Sequence, residues 1–306
     1  MSRRQLAAIF GLAAVMLSGW FLLRGGGEGD RVTGGLDLGA RIGSDVAYVR
    51  IDRPDEPTIE LVRRADGWTV NGYPALDSLV NAALAGLDTL PAGRLISRSP
   101  ANHERLGLTA ETGVRVQVGP AGDPEADFLV GKEGVDGRFV RLPGSDDSYV
   151  LPAGPLDPLT GGVTDWRDFM IARVDTAALR RIEIRRGDEV TAELERPGTG
   201  TRWTVGGAPA DSTLMRSYML VLSRLEATGF PADSFVYAAD FERPMATVNL
   251  YYAEAGARAP DVSLLFSTGL DHPDVLVRRA DDPIVYALDR RRANLLTTTA
   301  ERLRAR

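Results

Sequence analysis

The amino-acid sequence predicts an α+β fold. It is arranged as two tandem similar units, each a mainly antiparallel sheet with one principal helix, behind an N-terminal transmembrane helix. Three observations carry this expectation. Leu6–Leu23 is an uncharged, mostly apolar run of eighteen residues after Arg3 and Arg4. The chain then repeats itself. Ile59-Glu60-Leu61-Val62-Arg63, a turn at Asp66-Gly67 and Trp68-Thr69-Val70 are answered by Glu193-Leu194-Glu195-Arg196, a Gly-rich turn and Trp203-Thr204-Val205. Arg138-Phe139-Val140-Arg141 with Tyr149-Val150-Leu151 is answered by Leu276-Val277-Arg278-Arg279 with Tyr286-Ala287-Leu288. A repeat at a steady spacing has to be recognised before any fold is assigned. Finally, strands and helices do not alternate as a doubly wound parallel sheet requires.

Each element has a local reason. At about 1.5 Å per residue, the Leu6–Leu23 run as a helix spans roughly 27 Å, near the hydrocarbon thickness of a bilayer. Trp20 falls where interfacial aromatics sit. The run is long and ends in Trp20-Phe21-Leu22-Leu23 without a small-residue cleavage signature, so an uncleaved anchor is expected over a signal peptide. Arg3 and Arg4 then stay cytoplasmic and the bulk of the chain lies outside. Arg24-Gly25-Gly26-Gly27-Glu28-Gly29-Asp30 and the polar run to Ser44 read as a flexible tether. The expected division is an anchor at 1–24, a linker at 25–44, unit one at 45–152, a junction at 153–178, unit two at 179–290 and a tail at 291–306.

In unit one, Val46–Ile51 alternates like a half-buried strand. Thr58–Arg63 and Trp68–Val70 form a hairpin about Asp66-Gly67. Asp77 reads as the N-cap of a helix whose Leu79, Val80, Ala83, Leu84 and Leu87 share a face, with Pro91 closing it. Four further strands follow at Val114–Val118, Ala126–Val130, Arg138–Leu142 and Ser148–Leu151. In unit two, strands are expected at Arg181–Arg185, Val190–Arg196, Trp203–Val205, Ala246–Tyr252, Val262–Ser267, Val275–Arg279 and Ile284–Leu288. Asp211 caps its helix. Pro152–Asp168, rich in Pro and Gly, reads as a joint, and Arg290–Arg306 as a short surface helix.

Composition limits the chemistry. Net charge is −6, and residues 1–24 hold three arginines and no acid, so the remainder is at −9. That balance argues against a nucleic-acid partner. There is no cysteine, which removes disulfides, thiolate nucleophiles and Cys-based zinc sites. Lys132 is the only lysine. Gly131-Lys132-Glu133 lacks the glycine spacing and the following Ser/Thr of a phosphate loop.

His103 and His272 do not occupy equivalent places in the repeat, so they read as surface loop histidines rather than metal ligands. Asp146-Asp147 and Asp281-Asp282 each precede a terminal strand and read as polar turns, without the acid density of a calcium loop. Arg180-Arg181 and Arg290-Arg291-Arg292 read equally as solvated faces or as contacts to anionic lipid. Trp68 and Trp203 read as core anchors of their hairpins. No catalytic, cofactor-binding or metal-binding residues are assigned.

The order of these motifs resembles the bacterial family termed domain of unknown function 4340. It runs from an anchor through a strand–turn–Trp hairpin and an amphipathic helix opened by Ala-x-x-Asp or Pro-Ala-Asp. Arg105-Leu106-Gly107-Leu108 follows, then the Phe139/Tyr149 strand pair and the junction Thr164-Asp165-Trp166-Arg167-Asp168. The likeness covers most of residues 45–290, although Asp240-Phe241-Glu242-Arg243-Pro244 stands in unit two where Arg-Leu-Gly-Leu stands in unit one. The resemblance implies an envelope protein that accompanies ABC-type export systems of the gliding-motility kind, and it implies no catalytic residues. The expected function is a membrane-anchored, extracytoplasmic, non-enzymatic binding or scaffold protein in the bacterial inner membrane. Its partners are membrane lipid through residues 6–23 and transporter subunits or other envelope proteins. The alternatives are an envelope hydrolase acting in a cleft between the units, with Glu104, Asp165 and Asp168 as carboxylates, or a structural spacer.

Overall fold

A computed structural model describes residues 35–306 except 121, 199, 201, 254–258, 269–271 and 306. The protein is α+β, with antiparallel sheets and few helices. It divides into two compact units, one ending at Arg167 and the other beginning at Asp168. Among the described residues no helix is long and apolar enough to cross a membrane. The apolar run Leu6–Leu23 lies outside them.

The first unit holds β1 (Tyr48–Asp52), β2 (Ile59–Arg64), β3 (Gly67–Val70), β4 (Tyr73–Pro74), β5 (Arg94–Ser97), β6 (Val114–Gly119), β7 (Ala126–Gly134), β8 (Gly137–Arg141) and β9 (Ser148–Leu151). They form one antiparallel sheet in the order β4-β3-β2-β1-β6-β7-β8-β9-β5. The alternation legible in the sequence becomes the two faces of this sheet. Val49, Ile51, Ile59, Leu61, Val116, Val118, Phe128 and Val140 point into one core. Helix α1 (Asp77–Asp88) covers that core with Val80, Ala83 and Leu87. Helix α2 (His103–Leu106) packs on the other face, where Leu106 and Leu108 meet Leu129 and Phe139.

The second unit holds β10 (Met170–Ala172), β11 (Arg181–Arg186), β12 (Glu189–Glu195), β13 (Thr204–Val205), β14 (Ala208–Pro209), β15 (Leu225–Glu226), β16 (Ala246–Tyr251), β17 (Val262–Ser267), β18 (Val275–Arg279) and β19 (Tyr286–Leu288). Its main sheet runs β14-β13-β12-β11-β16-β17-β18-β19, and β10 pairs separately with β15. Helix α3 (Ser212–Ser223) buries Met215, Tyr218 and Leu222 against this sheet. Helix α4 (Asp233–Ala238) and the segment after it place Phe235, Val236, Ala239 and Phe241 over Leu276, Val285 and Ala287. An apolar cap therefore covers the outer face of β18 and β19, much as Leu106 and Leu108 cover Phe139 of β8.

Register refines the correspondence between the sheets. Val140 faces Tyr149 and Phe139 faces Val150. Val277 faces Tyr286 and Leu276 faces Ala287. By pairing, Phe139 therefore matches Leu276, and Arg141 matches Arg278. This is one residue away from the match that the bare sequence suggests, and strand pleating decides it, because a one-residue slip reverses every side chain.

Three segments differ from their sequence reading. Residues 35–44 are not all tether: Leu38 is fully buried, and Leu36 pairs with Gly93 through two backbone hydrogen bonds. The Pro/Gly-rich stretch after β9 buries Leu156, Leu159 and Trp166 in the first core. Residues 290–304 form helices α5 (Arg290–Leu296) and α6 (Ala300–Leu303), which bury Ala293, Leu296 and Leu303 in the second core rather than lying on the surface.

The last two segments do the same job. Leu76 donates to the Trp166 carbonyl and Ala75 bridges Arg167. Asp211 donates to the Leu303 carbonyl and Ala210 bridges Arg304. In each unit the chain returns after its last long strand and ties down the end of the tryptophan hairpin.

Candidate functional site

Each tryptophan hairpin leans on the principal helix of its unit, and a groove opens beside the contact. In the first unit the turn before Trp68 depends on Gly67, whose φ is +130° and where a Cβ would stand 2.8 Å from the Asp77 carboxylate. That carboxylate does not cap α1. It accepts a hydrogen bond from the Trp68 backbone N–H at 2.7 Å, fastening the hairpin to the helix. The Trp68 indole Nε1 donates to Asn81 Oδ1 at 3.2 Å. The groove there is about 330 Å³ and is lined by Ile42, Val46, Arg63, Trp68, Asn81 and Leu84 among others.

In the second unit Asp211 does cap its helix, accepting from the backbone N–H groups of Thr213 and Leu214, each at 2.9 Å. Ala210 donates to the Trp203 carbonyl at 3.0 Å and closes the hairpin. The groove beside it is about 630 Å³. Its floor is Trp203, Met215 and Met219, and its rim carries Arg202 and Arg216. Asn81 stands thirteen residues after Trp68, and Arg216 stands thirteen after Trp203. Where the first unit satisfies its indole with an amide, the second offers a guanidinium. Among the described residues nothing accepts from the Trp203 indole N–H, and neither Arg202 nor Arg216 has an acidic partner.

The ring of Trp203 also lies 5.4 Å from the Arg196 guanidinium. Burial, with repulsion from Arg180, holds the pKa of Arg196 below the usual arginine value. Its terminal nitrogens are spent on the carbonyls of Thr176 and Ala177.

A third groove, of about 400 Å³, contains Arg53, Arg115 and Arg141. Its cations are already engaged. Arg53 pairs with Glu56 and Arg115 with Asp127, while Arg141 donates to the carbonyls of Leu108 and Ser145. Arg278, the strand-pairing counterpart of Arg141, instead lies 5.0 Å from the Phe241 ring. One arginine position thus anchors the outer cap of each sheet by two different contacts.

The residues singled out from the sequence serve local structure. His103 is buried, with Nε2 3.0 Å from the Asp146 carbonyl. His272 Nδ1 lies 3.1 Å from the Asp274 backbone nitrogen, and its ring packs edge-on against Phe235. Asp147 is near Arg98, Asp281 pairs with Arg279, and Asp282 accepts from Ile284 N. Glu104 lies in the first turn of α2. Asp165 caps a short 3₁₀ turn through Gly162 N, and Asp168 accepts from Met170 N. Lys132 reaches the Arg105 carbonyl. Among the described residues no three His, Asp or Glu side chains gather as a metal site would require. Arg202, Arg216 and Met219 were not distinguishable in the sequence, although the Asn81/Arg216 difference at a fixed distance from each tryptophan was a readable signal.

Two antiparallel sheets, each covered by one principal helix and closed by a returning segment, with a side-chain groove at the hairpin–helix contact, define an α+β scaffold. The chain matches the family model described as "Domain of unknown function (DUF4340)" over residues 68–240 and belongs to that family. No curated protein and no solved structure matches it.

Proposed function

We propose that this chain is a single-pass, extracytoplasmic, non-enzymatic binding protein of the bacterial inner membrane and an accessory of an ABC-type export system of the gliding-motility kind. Its folded part is read as two tandem copies of one module. The observation that carries the reading is the order of the chain: the uncharged Leu6–Leu23 run behind Arg3 and Arg4, the glycine-rich stretch after it, and then a folded region of this family. The matched pairing of Val140 with Tyr149 and of Val277 with Tyr286 supports the tandem reading. The groove at Trp203, with its unmatched arginines, supports binding as its activity.

The test is affinity purification of the full-length chain from membranes in mild detergent, with mass spectrometry of accompanying proteins, beside a chain lacking residues 1–24. ATPase and permease subunits are expected with the full-length chain and depleted from the shortened one. Purification with no transporter subunit in several mild detergents overturns the accessory reading.

A further inference from the structure

We propose that the Trp203 groove binds a segment of a partner protein in which a carboxylate stands beside a large apolar side chain. This inference rests on reading the protein as a binding module and names the chemistry that the module recognises.

The floor supplies the apolar half of the site. Trp203 and Met215 are buried and Met219 is half-buried. Methionine side chains adapt their shape to an incoming group, and tryptophan offers a wide, rigid face. A volume of about 630 Å³ is enough for one or two large side chains.

The rim supplies the charged half. Arg202 and Arg216 are exposed and have no acidic partner among the described residues. Some arginines of the protein are paired with acids, as at Arg50–Asp52, Arg115–Asp127 and Arg279–Asp281, whereas the two at this groove lie beside an apolar floor with their charges unmatched. The Trp203 indole N–H is a third donor without an acceptor among the described residues. Guanidinium groups present paired N–H donors that match a carboxylate, and an indole N–H adds a neutral donor.

The comparison within the chain sharpens the point. At the same distance from Trp68, Asn81 accepts the indole proton and brings no charge. Arg216 does the opposite: it leaves the indole proton free and adds a cation. Leu220, one turn beyond Arg216, is 73% exposed and extends the apolar contact.

Strand addition is not the mode of capture. The outer strand β14 is already held by the tail, with Ala305 N donating to the Pro209 carbonyl at 3.0 Å and Ala210 bridging Arg304. The partner therefore enters with its side chains. A flat lipid surface does not fill a concavity, so a protruding polypeptide segment fits the groove better.

The test uses the full-length chain in detergent and fluorescence anisotropy of a labelled decapeptide of alternating aspartate and leucine. Saturable binding is expected, weakened about tenfold or more in the double variant R202E/R216E, consistent with the loss of close charge pairs. Arg216→Asn, which restores the arrangement at Trp68, is expected to weaken binding with the melting temperature unchanged. An alternating lysine–leucine peptide is expected not to bind, and an aspartate–serine peptide to bind more weakly.

Equal affinity in the double variant, or no saturable binding to the folded chain, overturns the proposal. So does displacement of the peptide by mixed micelles containing phosphatidylglycerol, because the site then takes a lipid headgroup. Transporter subunits that still accompany R202E/R216E would remove the groove as their contact and leave the accessory reading standing. Their absence from the unsubstituted chain would sink the accessory reading, while the peptide titration still judges the groove.

Discussion

Asp77 and Asp211 look interchangeable as helix-opening acids, but their side chains do different work. The carboxylate of Asp211 caps its helix, whereas that of Asp77 holds the Trp68 backbone N–H. Replacing either by Ala is expected to cost about 1 kcal/mol, the usual worth of a cap or a buried hydrogen bond. Serine separates them. Asp211→Ser retains most of the stability, because serine is a good cap, while Asp77→Ser loses it, because the shorter side chain does not reach the hairpin. Denaturant unfolding of the two serine variants checks this, and equal losses would refute it. The sequence could suggest an acid at both places; only the approach of Gly67 to α1 decides which donor it serves.

Asp52 gives the pH dependence a definite sign. The Arg50 guanidinium beside it, helped by the Thr58 hydroxyl against the opposing effect of burial, holds its pKa below the usual carboxylate value. A carboxylate with a depressed folded pKa adds stability above its unfolded value, about 3.9, and that contribution is lost as pH falls through the folded value. The pair is partly exposed, so the effect is small. Urea midpoints of the parent chain and Asp52→Asn are expected to differ at pH 7 and to converge as pH drops below about 4. A gap that widens in acid would contradict this account.

At the scale of elements, the long strands and both principal helices were legible because alternation and helical periodicity reflect burial directly. Strand β5 was not, since Arg94–Ser97 is short, follows Pro91-Ala92-Gly93 and shows no alternation. Nor was the role of the tail. Helix α5 has only seven residues and opens with three arginines, so it reads as a solvated face, yet Leu296 is fully buried and its carbonyl accepts from the buried Tyr218 hydroxyl at 2.9 Å. Burying Leu296 and Leu303 is worth roughly 1.5–3 kcal/mol each. Against a domain stability of about 5–15 kcal/mol, removing residues 291–306 takes away much of the margin. The shortened chain is expected to lose the protection of β11–β13 amides from hydrogen exchange while β1–β3 stay protected. Uniform protection in both units would mean that the tail is dispensable. Tyr218→Phe is the milder version, leaving the Leu296 carbonyl unpaired at a cost of about 1–3 kcal/mol.

For the whole molecule, the two tryptophan hairpins were readable from Trp68 and Trp203, whereas the groove was not. Both tryptophans are buried core anchors, as their hairpin position suggests. What distinguishes Trp203 is an indole N–H that no described residue accepts and an arginine of the facing helix lining the same groove, and that juxtaposition exists only once hairpin and helix have packed. Sequence position carries little information about which polar groups remain unpaired, because pairing is settled by neighbours far along the chain. Glu183 illustrates this: it meets Arg181 and Arg185 on its own strand, but also Asn249 on β16.

The returning segments also set an order of events during synthesis. A ribosome that has delivered Leu288 has made the whole sheet of the second unit but not the residues that cover Tyr218 and hold Asp211. Until residues 290–304 emerge, that half presents an apolar face to whatever receives it. The first half faces no such delay, because its own closing residue, Arg167, has long since left the tunnel. A nascent chain stalled before Leu303 emerges thus carries one finished half and one half still open to chaperones and proteases.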